Sequence, residues 1–331
     1  MFLFKKRSGD RVKQLPLFFA GLIFILLLAG TGLLVYLKGV PLLSQRGVAR
    51  EYWIAAVPIR WNIVPTGVDG MTGQKFAARA TTFEAIIYQA YTPDWGSPLP
   101  NPSGGIPGPT LYTQVGDNLL VHFKNLDTYY HRPHSMHAHG VHYTPSYDGS
   151  YVQGQEEPGS AVPEGGQYTY KWPVGTDSLG TWVYHDHSID ATDNTELGMY
   201  GNVVITQREQ VQPDKRFFVF FGELMPGVTG LAQTFYTING RAYLGNLPSY
   251  QARVGDHVEW VVSSLGNSLH VFHIHGHRWQ TGAGYQDTLL LGPSQSFTIS
   301  FIENNPGKWL VHCHVDLHMM MGMIAQYEVS P

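Results

Sequence analysis

His312-Cys313-His314-Val315-Asp316-Leu317-His318-Met319-Met320-Met321-Gly322-Met323 is the stretch that decides how this chain is read. Cys313 is the only cysteine in 331 residues, so it has no intrachain disulfide partner. A lone cysteine is usually a small buried hydrophobe. One flanked by histidines, with His318 five residues on and Met323 five further, reads as a soft thiolate ligand. Two imidazoles, one thiolate and a weak axial thioether describe a blue-copper electron-transfer site. Side chains alternate between the faces of a strand. His312 and His314 therefore point away from Cys313, so one strand can serve two metal centres.

The rest of the chain repeats this chemistry. It holds 16 histidines, and chance at that abundance gives about 0.8 His-x-His pairs. Five occur: His137/His139, His185/His187, His273/His275, His275/His277 and His312/His314. Four of them sit in an internal repeat. The first half runs Val115-Gly116-Asp117, then His134-Ser135-Met136-His137-Ala138-His139-Gly140, then Gly180-Thr181-Trp182-Val183-Tyr184-His185-Asp186-His187. The second runs Val254-Gly255-Asp256, then His270-Val271-Phe272-His273-Ile274-His275-Gly276, then Gly307-Lys308-Trp309-Leu310-Val311-His312-Cys313-His314. Each half ends in Gly-Met, at Met199 and at Met323. Asp186 stands where the second half has Cys313, and the first half lacks a counterpart of His318. No blue copper is expected there, and His134 and Met199 read as packing residues. His122, His131, His142 and His257 read as structural or exposed, His277 as a packing neighbour of the ligand pair.

These motifs together resemble the multicopper oxidases, and the two-domain plan with its cysteine in the second domain is similar to the two-domain small laccases. The likeness covers roughly residues 50 to 331. It implies an all-β chain of two cupredoxin-like Greek-key β-sandwich domains, four coppers and reduction of dioxygen to water. By motif position it implies a type 1 copper on His270, Cys313, His318 and Met323. It implies a type 2 copper on His137 and His273. The type 3 pair falls to His139, His185, His187, His275, His312 and His314. Asp148 and Tyr143 match small-laccase positions close to the cluster. Asp148 is read as a proton-relay group and Tyr143 as a redox-active neighbour, against the alternative that Asp148-Gly149 is only a turn.

Composition agrees with an all-β reading. Charged residues make up 14% of the chain, against about a quarter in ordinary domains, and Gly and Pro punctuate it throughout. A net charge of −4 and no basic stripe after the N-terminal segment give no reason to expect nucleic acid. The apolar run Leu15–Leu37 is long enough to span a bilayer. Lys5, Lys6, Arg7, Arg11 and Lys13 precede it, which puts the N-terminus inside. The expected plan is a basic cytoplasmic segment (1–14), a transmembrane helix (15–37) and a stalk (38–49). A first copper domain (50–207), a linker (208–216) and a second copper domain (217–331) follow. The protein is then a single-pass protein of the cytoplasmic membrane with its copper domains outside. A cleaved signal peptide is the alternative.

The expected activity is one-electron oxidation of a phenolic or aromatic donor coupled to four-electron reduction of dioxygen. The alternatives are a metallo-oxidase for Cu(I), Fe(II) or Mn(II), a copper nitrite reductase, and a non-enzymatic copper electron carrier. Each domain offers half a cluster. If the halves face apart in one chain, a head-to-tail ring closes them against neighbours, and the small-laccase likeness implies a homotrimer.

Overall fold

The computed structural model describes residues 47–331; the transmembrane segment expected over 15–37 lies outside them. Among the described residues no helix is long and apolar enough to cross a membrane. Gly47–Pro331 forms one compact unit.

The first half contributes β1 (Ala49–Asn62), β2 (Thr82–Tyr91), β3 (Leu111–Gln114), β4 (Asn118–Asn125), β5 (His137–Ala138), β6 (Gln167–Pro173), β7 (Gly180–His185) and β8 (Tyr200–Thr206). They form two four-stranded sheets, ordered β2-β1-β4-β6 and β3-β8-β7-β5. The second half contributes β9 (Lys215–Leu224), β10 (Phe235–Ile238), β11 (Tyr250–Arg253), β12 (His257–Ser264), β13 (His270–Ile274), β14 (Trp279–Thr281), β15 (Gly284–Gln286), β16 (Thr288–Leu291), β17 (Ser296–Ile302), β18 (Gly307–Cys313) and β19 (Ile324–Ser330). Its sheets are ordered β10-β9-β12-β17 and β11-β19-β18-β13-β16, with β14 and β15 as a separate hairpin. The two halves share one plan. β1 runs parallel to β4 as β9 does to β12, and β3 runs parallel to β8 as β11 does to β19. The internal repeat in the sequence is thus a repeat of cupredoxin-like sandwiches.

Alternating apolar residues from both sheets fill each sandwich. In the second, Val258, Trp260 and Val262 of β12 meet Phe272, Val311, Cys313 and Tyr327 from the opposing sheet. Burying an aromatic or branched side chain contributes about 1.5–3 kcal/mol relative to exposure. The first core continues across the domain boundary through Phe220, Phe235, Tyr243 and Leu265. There Tyr200 and Phe220 pack with ring centroids 4.7 Å apart. The Arg241 guanidinium lies 3.6 Å from the Trp61 ring centroid, and Trp61 Nε1 donates to the Gly240 carbonyl at 2.6 Å.

Two boundaries differ slightly from the sequence expectation. β1 opens at Ala49 because Val48 N and Arg50 Nε both donate to the buried carboxylate of Asp117. β9 opens at Lys215, inside the expected linker, where Arg216 Nε donates to Glu259 of the neighbouring strand at 2.8 Å.

Candidate metal centres

β18 ends in the second sandwich with Cys313 fully buried in the core and His312 on the opposite face. Cys313 pairs with Phe272 of β13, and His312 pairs with His273. On the core side, Cys313 Sγ lies 3.9 Å from His270 Nδ1 and 3.6 Å from His318 Nδ1. His318 comes from the short helix Asp316–Met320 that follows the strand. Met323 is buried beside them, its backbone N accepted by the His318 carbonyl at 2.9 Å. Two nitrogens facing one sulfur across 3.6–3.9 Å leave a span that a metal bridges with bonds of about 2.0 and 2.3 Å. Burial pushes the Cys313 thiol up, and burial pushes His270 down to about 4. A neutral imidazole is the form that ligates. The Tyr236 ring stacks on His318 at 3.9 Å. The donor set fits the type 1 copper that the sequence assigns.

The other face carries four histidines. Rings of His273, His275, His312 and His314 lie 5.1–5.5 Å apart where they neighbour one another. The Nε2 atoms of His275 and His312 approach to 3.0 Å. His273 Nδ1 donates to the Asp287 carbonyl and His312 Nδ1 to the Cys313 carbonyl, which leaves each Nε2 with an unprotonated lone pair. Such outer hydrogen bonds set the tautomer of metal-binding histidines.

The first domain builds the same quartet. Rings of His137, His139, His185 and His187 lie 5.1–5.6 Å apart where they neighbour one another. The Nε2 atoms of His139 and His185 stand 3.2 Å apart. Burial pushes His139 and His185 down to about 4. Gly140 and Gly276, each closing a His-x-His-Gly run, adopt positive φ of 73° and 71°. A Cβ on Gly140 would meet the Trp182 ring at 2.1 Å, and one on Gly276 the Trp309 ring at 2.8 Å. The motif glycines let the chain turn under a tryptophan and keep both histidines aimed outward.

His137 Nδ1 donates to the Asp148 carbonyl at 2.9 Å, with Asp148 Oδ1 3.0 Å away. The Asp148-Gly149 turn is present, and its carboxylate also touches the ligand. Tyr143 packs edge-on to His137 with centroids 5.9 Å apart. Burial, with the charge of Asp148 adding to it, pushes its phenol up to about 12. Among the described residues, each group of side chains able to share a metal draws from one domain only.

The histidines read as bland have ordinary partners. His122 contacts Glu51, His131 contacts Glu164, His142 contacts Asp177 and His257 contacts Ser300. His277 is buried against Glu303 at 3.1 Å. Sequence reasoning missed Glu303, Asp127 and Glu223, whose partners lie 26 or more residues away, or 7 in the case of Asp127. Glu223 accepts from Asn267 N and Ser268 Oγ, both at 2.6 Å, and its charge acts on both His270 and His318. It lines a cavity of about 250 Å³ between the domains, together with His185, His187, Glu196 and Phe221. Burial, reinforced by the charges of Glu223 and Asp193, pushes Glu196 up to about 7.

Comparison with known proteins agrees with this geometry. Two multicopper oxidase family models match, over residues 91–210 and 222–331. The chain belongs to the multicopper oxidase family. It is 28% identical over 345 residues to human Ferroxidase HEPHL1, covering 86% of this chain and 29% of that protein. It is 29% identical to a probable nitrite reductase-hydroxylamine oxidoreductase fusion protein of Kuenenia stuttgartiensis, over 80% of this chain and 32% of that one. The chain thus spans under a third of these relatives. Among solved structures, a multicopper oxidase superposes with a TM-score of 0.67 at 24% identity, covering 85% of this chain and 89% of the other. The blue copper oxidase of Nitrosomonas europaea does so with 0.65 at 22% identity, covering 85% and 86%.

Proposed function

We propose that this protein is a four-copper oxidase of laccase-like plan, which takes single electrons from a donor and reduces dioxygen to water. The observation that carries this is β18, where Cys313 faces two imidazoles on one side and its neighbours His312 and His314 join a histidine quartet on the other. When bound, copper supplies one-electron acceptance at the Cys313 site and dioxygen reduction at a cluster of one type 2 and two type 3 ions. The protein's part is to hold the donors. Nδ1 hydrogen bonds fix the Nε2 atoms of His137, His185, His273 and His312 outward, and burial favours the neutral form of His137, His185 and His312. The backbone of β18 links both centres through a few covalent bonds. Oxygen uptake by copper-loaded protein, measured against donor consumed, tests the reading. Eight paired histidines exceed what a nitrite reductase with one mononuclear catalytic copper, or a simple electron carrier, requires.

Reducing dioxygen consumes protons, and Asp148 is placed to bring them. Its carboxylate touches His137 and stands beside the Tyr143 phenol. Asp148→Asn should leave reduction of the type 1 site by donor fast and slow its reoxidation by dioxygen roughly tenfold, within the range of outer-shell changes. Stopped-flow absorbance separates the two phases; unchanged reoxidation would return Asp148 to a turn residue.

The small-laccase resemblance implies phenolic or aromatic donors. A reduced metal ion is the second reading, favoured by Glu223. Its carboxylate acts on both type 1 histidines and faces Glu196 across the interdomain cavity, a place for a cation rather than a neutral ring. The ferroxidase relatives agree with a metal donor. Glu223→Gln should lower kcat/KM for Fe(II) at least roughly tenfold more than for a neutral phenol, as loss of a bond to a charged group implies. Equal losses for both donors would remove the metal reading.

The two half-clusters belong to different domains; if they face apart in one chain, a head-to-tail ring closes them against neighbouring copies, and the small-laccase resemblance implies that the ring is a homotrimer.

A further inference from the structure

The first domain retains the whole frame of a type 1 pocket, closed without a thiolate. Asp186 N donates to the Met199 carbonyl at 3.1 Å, as Cys313 N does to Met323 at 3.2 Å. Met199 N donates to the Asn194 carbonyl at 3.0 Å, as Met323 N does to His318 at 2.9 Å. Asp186, Asn194 and Met199 therefore occupy the places of Cys313, His318 and Met323, and His134, three residues before His137, occupies that of His270. Even the spacing is kept. His134 Nδ1 lies 3.9 Å from Asp186 Oδ2, and His270 Nδ1 lies 3.9 Å from Cys313 Sγ. All four first-domain residues are fully buried.

A buried carboxylate is costly unless its acceptors are filled. Those of Asp186 are. Ser135 N donates to Oδ1 at 2.6 Å, and Ser188 Oγ and Asn194 Nδ2 donate to Oδ2 at 2.7 Å each. The Ser135 hydroxyl accepts from His187 N at 3.0 Å. His134 is held from behind by Asp127, 3.0 Å from Nε2. One carboxylate thus joins the segment before β5, the loop after β7 and the helix Ala191–Glu196. Because neighbours alternate on the strand, fixing Asp186 inward aims His185 outward. Its own carbonyl accepts from His185 Nδ1 at 2.8 Å.

We propose that Asp186 is a positioning residue for the oxygen-reducing cluster: it does for His185 and His187 what a metal–thiolate bond at Cys313 does for His312 and His314. This rests on the cluster reading above. The test uses the copper-loaded full chain, with copper partition against a chelator and the near-ultraviolet type 3 absorption as readouts. Asp186→Ala should weaken cluster copper by about 10- to 100-fold while the blue band of the second domain is unchanged. Asp186→Asn, which keeps one acceptor oxygen, should lie between. The double variant Asp186→Cys with Asn194→His keeps the test decisive if the alanine variant does not fold. It should regain cluster affinity and add a second blue copper. Asp186→Ala with wild-type cluster affinity would overturn the proposal. So would equal losses at the blue site and the cluster, or a folded double variant with no second blue site. A wild-type chain lacking any copper beyond the blue site would instead sink the cluster reading itself.

Discussion

Cys313→Ser should abolish the blue charge-transfer band and drop donor oxidation to background, while the protein stays folded. The thiolate is the one ligand that Ser cannot replace, since the colour and the soft-metal preference both come from sulfur. Ser fits the space, and Val271 N, which donates to Cys313 Sγ at 3.3 Å, can donate to a hydroxyl. The stability loss should stay within about 3 kcal/mol, the cost of a buried hydroxyl left without compensation, because one hydrogen bond is available to it. The histidines of both quartets are untouched, so copper at the cluster should remain. Visible absorption, copper content and thermal unfolding of the variant check each part. A copper-loaded Cys313→Ser protein that stays blue would remove the type 1 assignment.

Two inactive chains should restore activity when assembled together. His137→Ala/His139→Ala destroys the first-domain half of the cluster and leaves Cys313 intact. His273→Ala/His275→Ala destroys the second-domain half. Each alone has no complete cluster. In a head-to-tail ring the cluster forms between the first domain of one copy and the second domain of the next. With equal mixing, about one interface in four then pairs two intact halves. Oxygen uptake should recover to about a quarter of wild type after co-expression and stay at background for either variant alone. No recovery in verified mixed oligomers would mean that the halves close within one chain.

Much of this site was legible because its chemistry is local in sequence. The His-x-His spacing, the paired Trp and Gly around it and the Val-Gly-Asp marker repeat in register, so the domain repeat and the ligand strands follow from period-two alternation. Asp186 is buried between the less buried His185 and His187, and Cys313 is buried on the face of β18 opposite His312, as that spacing demands. What could not be read is the set of partners brought in by tertiary packing. Alternation says that Asp186 faces the core, but not that Ser135, Ser188 and Asn194 converge on it. His134 looked like a packing residue because Asp127, its partner, lies outside the repeated motif. Asn194 was invisible as the counterpart of His318, since the first-domain loop is three residues longer between Asp186 and Met199 than between Cys313 and Met323. Glu223 sits at the end of an apolar strand, and only the approach of the Asn267-Ser268 loop gives it a role.

Whether the protein is a four-copper oxidase is decided by the stoichiometry of the copper-loaded protein in one vessel: copper per chain, donor oxidised per dioxygen consumed, and peroxide released. About four coppers per chain are expected, as one blue centre plus a three-metal cluster requires. About four donor electrons per dioxygen and no free peroxide should be found, the electron count of full reduction to water. A chain that holds only one or two coppers, or that releases peroxide at two electrons per dioxygen, would rule out a four-copper oxidase.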